Sequence, residues 1–525
     1  MRKLLALMLC LALILPCLSA GAEETDRFHQ RDPIAIEWLA YNTYGQPDAA
    51  ASKVIQTVQE KYNINLSFWF VDDQQWDEVL GVRLASGEMP DIMKIKNVQN
   101  TSKYQQQGIL AEITPEMLAK MPAYVGVVNE YDVDDNIWVD ATVDGKIYAL
   151  KGINLGSSYP TTLIWRLDWL KNVGIDETPV SIDEWETALR KVTFEDPDQN
   201  GKNDTFGISN TVISAVFGAF GAIPLKEFRG SGTQNLFMTK KDDKMVFAAT
   251  QPESKQALEL LARWYAEGLI DPEFITGENT GGYWAVSQAF ENNKVAVMGM
   301  SMANHWNPPL VEGAAPGACL KSFLELHPDA VFGETVIPGL PPVGPEGKSG
   351  AHTWGVAGGS FGITAKGAEN PDKLDVLLQM IEDVFADFDY ATMVAYGFAE
   401  EDDYSIIEGM YVSNPQKYTD TAASTQAGLN VLNATISNPE FAKRFNEPQY
   451  AFLDQWKTNG YMDEKYPAVP AQDQYLADLK TYTLQTYVDI ITGTQSVDSF
   501  DSFAAKFNEQ GGKQIEDEIN AAMGL

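Results

Sequence analysis

The chain has 525 residues and a formal net charge of −35 at pH 7. A chain of this length has enough material for more than one hydrophobic core, so we expect two or more lobes. The acidic balance argues against nucleic acid, anionic lipid and polyanionic ligands as partners unless a cleft is locally basic, because each of them needs a basic surface. It favours a neutral or cationic solute.

The N-terminal residues predict export. A short basic head precedes an apolar run over residues 4–15, and the small residues at 20–22 match the site that signal peptidase cuts. The run is too short to span a bilayer of about 30 Å as a helix, so we predict a signal peptide over 1–22 and an extracytoplasmic protein, secreted or associated with the cell surface. The alternative is a lipid anchor at Cys17, but Pro16 fits that motif poorly.

Cysteine usage excludes a disulfide framework in the mature chain. Removal of the signal peptide leaves Cys319 as the only cysteine. An exported protein has the opportunity to form disulfides, but this one has no internal pair to form. Its core must therefore be held by packing alone.

Strand-like and helix-like segments alternate along most of the chain. The first strand is predicted over Ile34–Leu39, a helix follows through residues 54–62, and a second strand covers Ile64–Phe68. Alternation of this kind predicts an α/β fold.

Later segments continue the pattern. Ser181 and Glu184 form a capping box ahead of an amphipathic helix. Residues 338–350, PGLPPVGPEGKSG, are rich in proline and glycine and are the clearest candidate for a linker. The last hundred residues are predicted to be mainly helical.

One acidic loop resembles an EF-hand calcium loop. Residues 195–207 read EDPDQNGKNDTFG, with a glycine at position six, where the turn needs a positive φ. The predicted oxygen donors are Asp196, Asp198, Asn200, the backbone carbonyl of Lys202, and Asp204. The glutamate of position twelve is replaced by Gly207, so further oxygens must come from water or a neighbouring acid. The alternative is an Asn/Gly-rich turn whose aspartates are simply solvated.

The order of six short motifs is the most specific feature of the chain. The motifs are GEMPDI at 87–92, YQQQGILAEITP at 104–115, DGKIYAL at 144–150, RLDWL at 166–170, EGLIDP at 267–272 and FENNKVAVM at 290–298. This order resembles the family 1 extracellular solute-binding proteins of bacterial sugar-importing ABC transporters, the group that contains maltose-binding protein. The chain looks closest to the long oligosaccharide-binding members and to the calcium-containing alginate-binding members, and the resemblance covers nearly all of the mature chain.

The resemblance implies an α/β, two-lobed periplasmic-binding-protein fold with the ligand cleft between lobes joined by crossing segments. We expect crossings near 151–158, in the Pro/Gly-rich stretch before Thr353, and near 387–397. The predicted boundaries are 1–22 for the signal peptide, 33–155 and 338–392 for the first lobe, 156–337 for the second lobe with its calcium loop at 196–205, and 393–525 for the second lobe with the C-terminal helices.

Candidate ligand contacts follow from this fold and from the chemistry of sugar recognition, in which aromatic faces and planar polar groups bind the ring. The candidates at predicted cleft positions are Tyr41, Asn42, Tyr44, Lys96, Asn97, Arg166, Asp168, Asn304, Trp306 and Trp354. Arg166 and Asp168 have a structural ion pair as their alternative role. Three other tryptophans, Trp69, Trp185 and Trp264, lie in amphipathic or strand patterns and are expected to be packed in the core.

The predicted function is that of the carbohydrate receptor of an ABC importer. The resemblance implies that it binds an oligosaccharide by hinge closure of its two lobes and delivers it to the permease subunits. We expect a monomer with a structural Ca²⁺ and no catalytic residues. An exported glycoside hydrolase or polysaccharide lyase is the main alternative, and a scaffold with a degenerate cleft is a third. The string GGSFG at 358–362 matches the nucleophile elbow of hydrolases, but a strand-like segment follows its serine where that motif needs a helix.

Overall fold

The structure is a computed structural model of the full chain. It describes residues 26–39, 46–72, 75–96, 100–132, 137–225, 236–276, 285–432 and 438–525. The predicted signal peptide and Cys17 lie outside the described residues. Cys319 is described, and it is buried with a free thiol.

The strands in chain order are β1 Ile34–Leu39, β2 Ile64–Trp69, β3 Ile92–Ile95, β4 Thr142–Val143, β5 Lys146–Ile147, β6 Leu150–Ile153, β7 Thr162–Arg166, β8 Met238–Lys241, β9 Lys244–Phe247, β10 Val297–Ser301, β11 Val336–Gly339, β12 Ala351–His352, β13 Ala357–Ile363, β14 Tyr404–Ile407, β15 Met410–Ser413 and β16 Gly460–Tyr461.

The α-helices in chain order are α1 Lys53–Tyr62, α2 Trp76–Ala85, α3 Asn100–Gln106, α4 Pro115–Leu118, α5 Pro122–Tyr131, α6 Leu167–Asn172, α7 Ile182–Phe194, α8 Ile213–Gly218, α9 Pro252–Ala266, α10 Gln288–Glu291, α11 Ala318–Leu326, α12 Ala365–Glu369, α13 Pro371–Ala386, α14 Phe388–Tyr396, α15 Thr421–Gln426, α16 Pro439–Phe445, α17 Glu447–Gln455, α18 Pro470–Ile491, α19 Phe500–Phe507 and α20 Lys513–Met523.

The first lobe is built on a sheet of five strands in the order β2–β1–β3–β13–β6. The first three strands run parallel, with Trp38 opposite both Phe68 and Ile92, whereas β13 is antiparallel to its two neighbours. Side chains alternate between the faces of the sheet, so Ile92 packs in one core while Met93 and Ile95 pack in another. Both faces are therefore covered, as expected of strands joined by helical crossovers.

The second lobe is built on a sheet of three strands in the order β10–β7–β11. The central β7 runs antiparallel to both neighbours. Its Trp165 enters a large core shared with α7, α9 and the C-terminal helices α18–α20, and its Ile164 enters a smaller core on the opposite face. Trp185 and Trp264 are fully buried in the large core, which confirms their predicted packing role.

Local sequence signals place the helix starts correctly where a cap is present. The Ser181 side chain accepts a hydrogen bond from the Glu184 backbone, and the Glu184 side chain reaches back to the backbone of Ser181, at the start of α7. This reciprocal pairing satisfies amide groups that a helix start would otherwise leave without partners. The predicted capping box is thus confirmed.

Three segments connect the lobes, over residues 154–161, 352–356 and 456–463. The backbone bonds that join them run from Asn154 N to Val356 O (2.9 Å), from Thr161 N to His352 O (2.7 Å) and from Thr353 N to Tyr461 O (2.9 Å). The last segment includes β16, which pairs in parallel with β12. The three connections therefore lie side by side.

The Pro/Gly-rich stretch 338–350 packs against the second lobe before the chain crosses. Val343 exchanges backbone hydrogen bonds with Val180 and Ile182, and a Cβ placed on Gly344 would lie 1.9 Å from the backbone oxygen of Ala219. The glycines of this predicted crossing therefore allow close packing on the second lobe, and the connection at 352–356 follows directly after it.

The segment near 387–397, which was predicted as the third crossing, packs in the first lobe. That segment is mostly the helix α14, and its Tyr390 and Val394 are buried in the core of the first lobe. Val431 and Leu432 pack in the same core. The second portion of the first lobe therefore extends beyond the predicted end at residue 392, because α14 buries its apolar side chains against α13 and the first sheet.

Candidate functional site

The carboxyl ends of the parallel strands mark the edge of the first lobe where a ligand is expected. β1, β2 and β3 end at this edge, and Lys96, directly after β3, is exposed there. The other predicted contacts at this edge, Tyr41, Asn42, Tyr44 and Asn97, lie outside the described residues.

A cluster of aromatic and apolar side chains lies where the lobes and their connections meet, and we call it the interlobe cluster. Its buried members are Tyr159, Met302, Ala303, Phe452 and Leu453, and its half-buried members include Leu155, Leu310, Phe332, Trp354, Tyr450 and Trp456. These residues come from all three connecting segments, from the second lobe around the end of β10, and from α17. The cluster therefore brings together parts of the chain that are far apart in sequence.

Tyr159 links the first connection to α17. Its hydroxyl group donates a hydrogen bond to Asp454 Oδ1 at 2.8 Å, and its ring lies 6.2 Å from that of Tyr450. Burial, together with the Asp454 carboxylate, raises the pKa of Tyr159, so the hydroxyl stays a donor. Lys457 lies 5.9 Å from the centre of the same ring. Aromatic and polar groups thus meet at one place.

Trp354 has the exposure that a ligand contact needs. It lies in the second connection, it is half-buried, and its ring meets that of His352 edge to face at 4.4 Å. Asn304, which is also half-buried, lies at the end of β10 beside Ala303 of the interlobe cluster. The structure therefore places these two predicted contacts in the same region.

Trp306 lies inside the second lobe. Its side chain is fully buried, its Nε1 donates to Ser301 Oγ at 2.8 Å, and its ring contacts Phe290 and Phe323. The prediction that Trp306 contacts ligand does not agree with this packing, because the ring has no exposed face.

Arg166 and Asp168 lie at the other end of β7 from the interlobe region. Arg166 Nε and Nη2 donate to Asp168 Oδ1 and Oδ2 at 2.9 and 2.7 Å, and the guanidinium also bonds Asn293 and lies over Trp169. Thr162 starts the strand near the connections, so Arg166 lies about 13 Å further along it at about 3.3 Å per residue. This geometry is that of the structural ion pair, which was the alternative role.

The predicted calcium loop folds around its own backbone. Asp196 accepts hydrogen bonds from Asn200 N at 3.0 Å and from Gly201 N at 2.9 Å. The Asn200 amide nitrogen donates to Asp198 Oδ2 at 2.8 Å and to Asp204 Oδ1 at 3.1 Å. Gly201 adopts a φ of 81°, as position six requires. Three of the side chains predicted to bind the ion, those of Asp198, Asn200 and Asp204, therefore lie together, with the Asn200 amide N–H group between the two carboxylates.

The charge balance of this loop suits a cation. The pKa of Asp198 is raised mainly by burial, and further by the nearby carboxylates of Asp196 and Asp204. Lys202 donates its backbone N–H to Asn200 Oδ1 at 2.9 Å, and its exposed side chain forms no ion pair with a described residue. The donor set is rich in oxygen, which is what Ca²⁺ requires. However, no group of three or more His, Cys, Asp or Glu side chains in the described residues is arranged to hold a metal ion.

The hydrolase motif is not supported by its local structure. Ser360 lies in the middle of β13, where it is buried and pairs with Ile95 and Lys151 on the flanking strands. A nucleophile elbow needs a serine exposed on a turn between a strand and a helix.

Sequence reasoning missed Tyr159, Tyr450, Asp454 and Trp456. It concentrated on the strand ends of an α/β fold, whereas three of these residues lie in or just after the helix α17. The available signal was the density of aromatic residues between positions 450 and 461.

The comparisons with known proteins agree with this architecture. The model of the bacterial extracellular solute-binding protein family matches residues 42–379. The chain is 22% identical to the polygalacturonan/rhamnogalacturonan-binding protein YtcQ of Bacillus subtilis (strain 168), over 99% of both chains. It is 24% identical to the lipoprotein LipO of the same strain, over 60% of this chain and 55% of LipO.

Solved structures show the same fold. The alginate-binding protein AlgQ2, solved without calcium ion, aligns with a TM-score of 0.65 at 17% identity, covering 94% of this chain and 98% of AlgQ2. An "HMO binding" ABC-transporter-associated solute-binding protein of Bifidobacterium longum infantis aligns with a TM-score of 0.65 at 16% identity and the same coverage. The predicted two-lobed periplasmic-binding-protein fold is confirmed, and the chain belongs to the bacterial extracellular solute-binding protein family.

Proposed function

We propose that the protein is the extracytoplasmic substrate-binding component of an ABC importer and that its ligand is an oligosaccharide. The observation that carries this proposal is the interlobe cluster, in which aromatic side chains from the connections, from the second lobe and from α17 lie beside polar groups at the meeting point of two α/β lobes. Such a combination suits the apolar faces and hydroxyl groups of sugar rings. The names of YtcQ, AlgQ2 and the Bifidobacterium protein all refer to carbohydrate binding.

The proposed ligand contacts in the described residues are Lys96, Asn304 and Trp354, joined by Tyr159 and Tyr450. The first three lie at strand ends or in a connection, where Lys96 is exposed and Asn304 and Trp354 are half-buried. Tyr41, Asn42, Tyr44 and Asn97 remain proposed contacts because they follow the strands that end at the same edge. Trp306, Arg166 and Asp168 are not carried forward, because packing explains them.

Ligand binding would act through the three connections. Two lobes joined by short segments that lie side by side open and close by small backbone rotations in those segments. A ligand that touches both lobes stabilises the closed form, because it has more contacts there than in the open form. The closed form would then be the one recognised by the permease subunits, which we propose as the partner of a monomeric receptor.

Export and anchoring are proposed from the N-terminal residues and from the family. The predicted signal peptide supports an extracytoplasmic location, and the name of LipO supports a lipid anchor at Cys17 as the alternative to release after residue 22. No helix among the described residues is long and apolar enough to cross a membrane.

We also propose that the loop 196–204 holds a structural Ca²⁺. Asp196, Asp198, Asn200, the Lys202 carbonyl and Asp204 would supply oxygens, and the ion would offset the repulsion between the carboxylates. The convergence of three of these side chains and the mention of calcium in the name of the AlgQ2 structure support the proposal. The ion would stiffen the second lobe and have no contact with the ligand.

Thermal unfolding of the mature chain with a panel of oligosaccharides tests the main proposal. The panel contains fragments of polygalacturonan, rhamnogalacturonan and alginate, together with kestose. A ligand that binds only the native state raises the melting temperature, so at least one fragment should raise it and should be recovered intact. A fragment that is cleaved on incubation would support the glycoside hydrolase or lyase alternative, and a panel without any effect would contradict the proposal.

The calcium proposal has its own test. Chelator should lower the melting temperature of the wild-type chain, and Asp198→Ala should abolish that difference. Asp243→Ala, at an exposed aspartate on the β8–β9 turn, is the control. If chelator has no effect on the wild-type chain, the loop is a solvated turn.

A further inference from the structure

A cavity lies next to the interlobe cluster, between the helices α13, α14, α16 and α17. It has a volume of about 150 Å³, which corresponds to about five water molecules at about 30 Å³ each. That is the scale of one sugar ring, whereas a site for a larger ligand measures about 300 Å³ or more. We call this cavity the amide pocket.

The lining of the amide pocket combines carboxamides with aromatic rings. Asn430, Asn438 and Asn446 contribute the amides, and the rings of Tyr396 and Tyr450 contribute aromatic surface, together with two phenylalanines. No charged side chain lines the pocket among the described residues. Planar amides that both donate and accept suit hydroxyl groups, and aromatic faces suit the C–H groups of a sugar ring.

Two amide oxygens are available to a ligand. Asn446 Nδ2 donates to the Tyr396 hydroxyl group at 3.2 Å, and Asn430 Nδ2 donates to Ala395 O at 3.2 Å. These bonds orient each amide, while the Oδ1 atom of each accepts no hydrogen bond from a described residue. Asn438 is different, because its Nδ2 donates to Phe385 O and its Oδ1 accepts a hydrogen bond from Glu440 N. Within the described part of the chain, the side-chain oxygens of Asn430 and Asn446 therefore have no donor of their own.

Tyr450 joins the amide pocket to the proposed ligand site. It lines the pocket and also belongs to the interlobe cluster, where its ring lies 6.2 Å from that of Tyr159. A chain of sugars bound between the lobes can therefore place one unit in the pocket without leaving the aromatic surface.

We infer that the amide pocket is a subsite for one uncharged sugar unit of the oligosaccharide. This inference rests on the proposed function. An ionised uronate carboxylate fits the pocket poorly, because no charged side chain of the described residues lines it and an unpaired charge would lose hydration there. The subsite would thus select oligosaccharides that contain an uncharged unit over those built only of uronates.

The test is isothermal titration calorimetry of the mature chain with three kinds of oligosaccharide. Fragments of polygalacturonan and alginate contain only uronate units, fragments of rhamnogalacturonan alternate uronate with uncharged rhamnose, and kestose contains only uncharged units. The tightest ligand of the wild-type chain should contain an uncharged unit.

Two variants remove the subsite in different ways, and a third is the control. Ala442→Phe fills the pocket, and Asn446→Ala removes an amide without adding volume. Each should weaken the tightest ligand about tenfold, the equivalent of about one lost hydrogen-bonded contact. Ala451→Phe, at an exposed alanine of α17, should leave the affinity within about twofold. Thermal unfolding of each variant checks that it is folded.

The outcomes distinguish failure of the proposed subsite from failure of the proposed receptor function. If the tightest ligand consists only of uronates, or if both folded pocket variants keep the wild-type affinity, the subsite is refuted while the receptor function stands. If the wild-type chain binds no oligosaccharide of the panel, the proposed function fails and this inference fails with it.

Discussion

Asp463 gives a quantitative test of how the third connection is held. Although part of residue 463 reaches the surface, its carboxyl group is enclosed. Oδ1 accepts a hydrogen bond from Met238 N at 2.7 Å, and Glu464 N donates to Met238 O at 3.2 Å. Burial, together with the negative charge of the neighbouring Glu464, raises the pKa of Asp463 from its ordinary 3.8 to about 7.

The sign of the effect follows from linkage. A raised pKa means that the folded chain holds the proton more tightly than the unfolded chain does, so the folded state loses stability as the pH rises from about 4 to about 7. A difference of about three pKa units corresponds to about 4 kcal/mol at about 1.4 kcal/mol per unit. Asp463→Asn keeps an oxygen that accepts from Met238 but does not ionise. At about pH 8 the variant should therefore be more stable than the wild-type chain by up to about 4 kcal/mol.

Urea unfolding, followed by tryptophan fluorescence between about pH 4 and pH 8, measures this difference. The gap between variant and wild type should be small at the acidic end and widen with pH. Asp478→Asn, at an exposed aspartate of α18, is the control and should run parallel to the wild type. If the Asp463→Asn curve also runs parallel, the carboxyl group is hydrated and the reasoning is refuted.

Three further predictions concern residues whose role the structure assigns to packing. Trp306→Phe, which loses the bond to Ser301 and part of a buried ring, should lower the free energy of unfolding by about 1–3 kcal/mol and leave ligand affinity within about twofold. Gly344→Ala should destabilise by about 1–3 kcal/mol or more, because its Cβ meets the backbone of Ala219. Asp168→Asn should lower stability by about 1–3 kcal/mol without changing ligand affinity, because it weakens the pairing of a buried guanidinium. Chemical unfolding and calorimetry check all three.

Controls and contrary results are specific to each change. Gly126→Ala, at a helical glycine with nothing within 4 Å of the new Cβ, should be neutral or slightly stabilising. A loss of affinity larger than about tenfold in Trp306→Phe or Asp168→Asn, with stability unchanged, would restore these residues to the ligand site. A Gly344→Ala chain as stable as the wild type would show that the Pro/Gly-rich stretch is loosely packed.

Much of the fold could be predicted because its signals are local. The capping box of Ser181 and Glu184 starts a helix through bonds among neighbouring residues. The helical spacing around Trp185 and Trp264 predicted their burial, because a periodic apolar face has to pack against something. The order of six short motifs along the chain was enough to indicate the family.

The candidate site was predicted less well, because exposure of a loop residue depends on distant elements. Trp306 and Trp354 both follow strands and both have polar neighbours, and nothing local separates them. Trp306 is buried because Phe290 and Phe323, from two other helices, close over its ring. Trp354 keeps an accessible face because it lies in a connection between lobes.

By itself, the sequence determined the α/β class and the core tryptophans through the spacing of apolar residues, and the start of α7 through its capping box, whereas the two-lobed fold was implied by the resemblance of its short motifs to a known family. Only the tertiary structure decided where the third connection lies, that the Pro/Gly-rich stretch packs against α8, and that Tyr159, Tyr450 and Trp456 meet at one place. The physical reason is that these features depend on contacts between segments that are far apart in the sequence. Such contacts stabilise the protein only when those segments have folded and packed together.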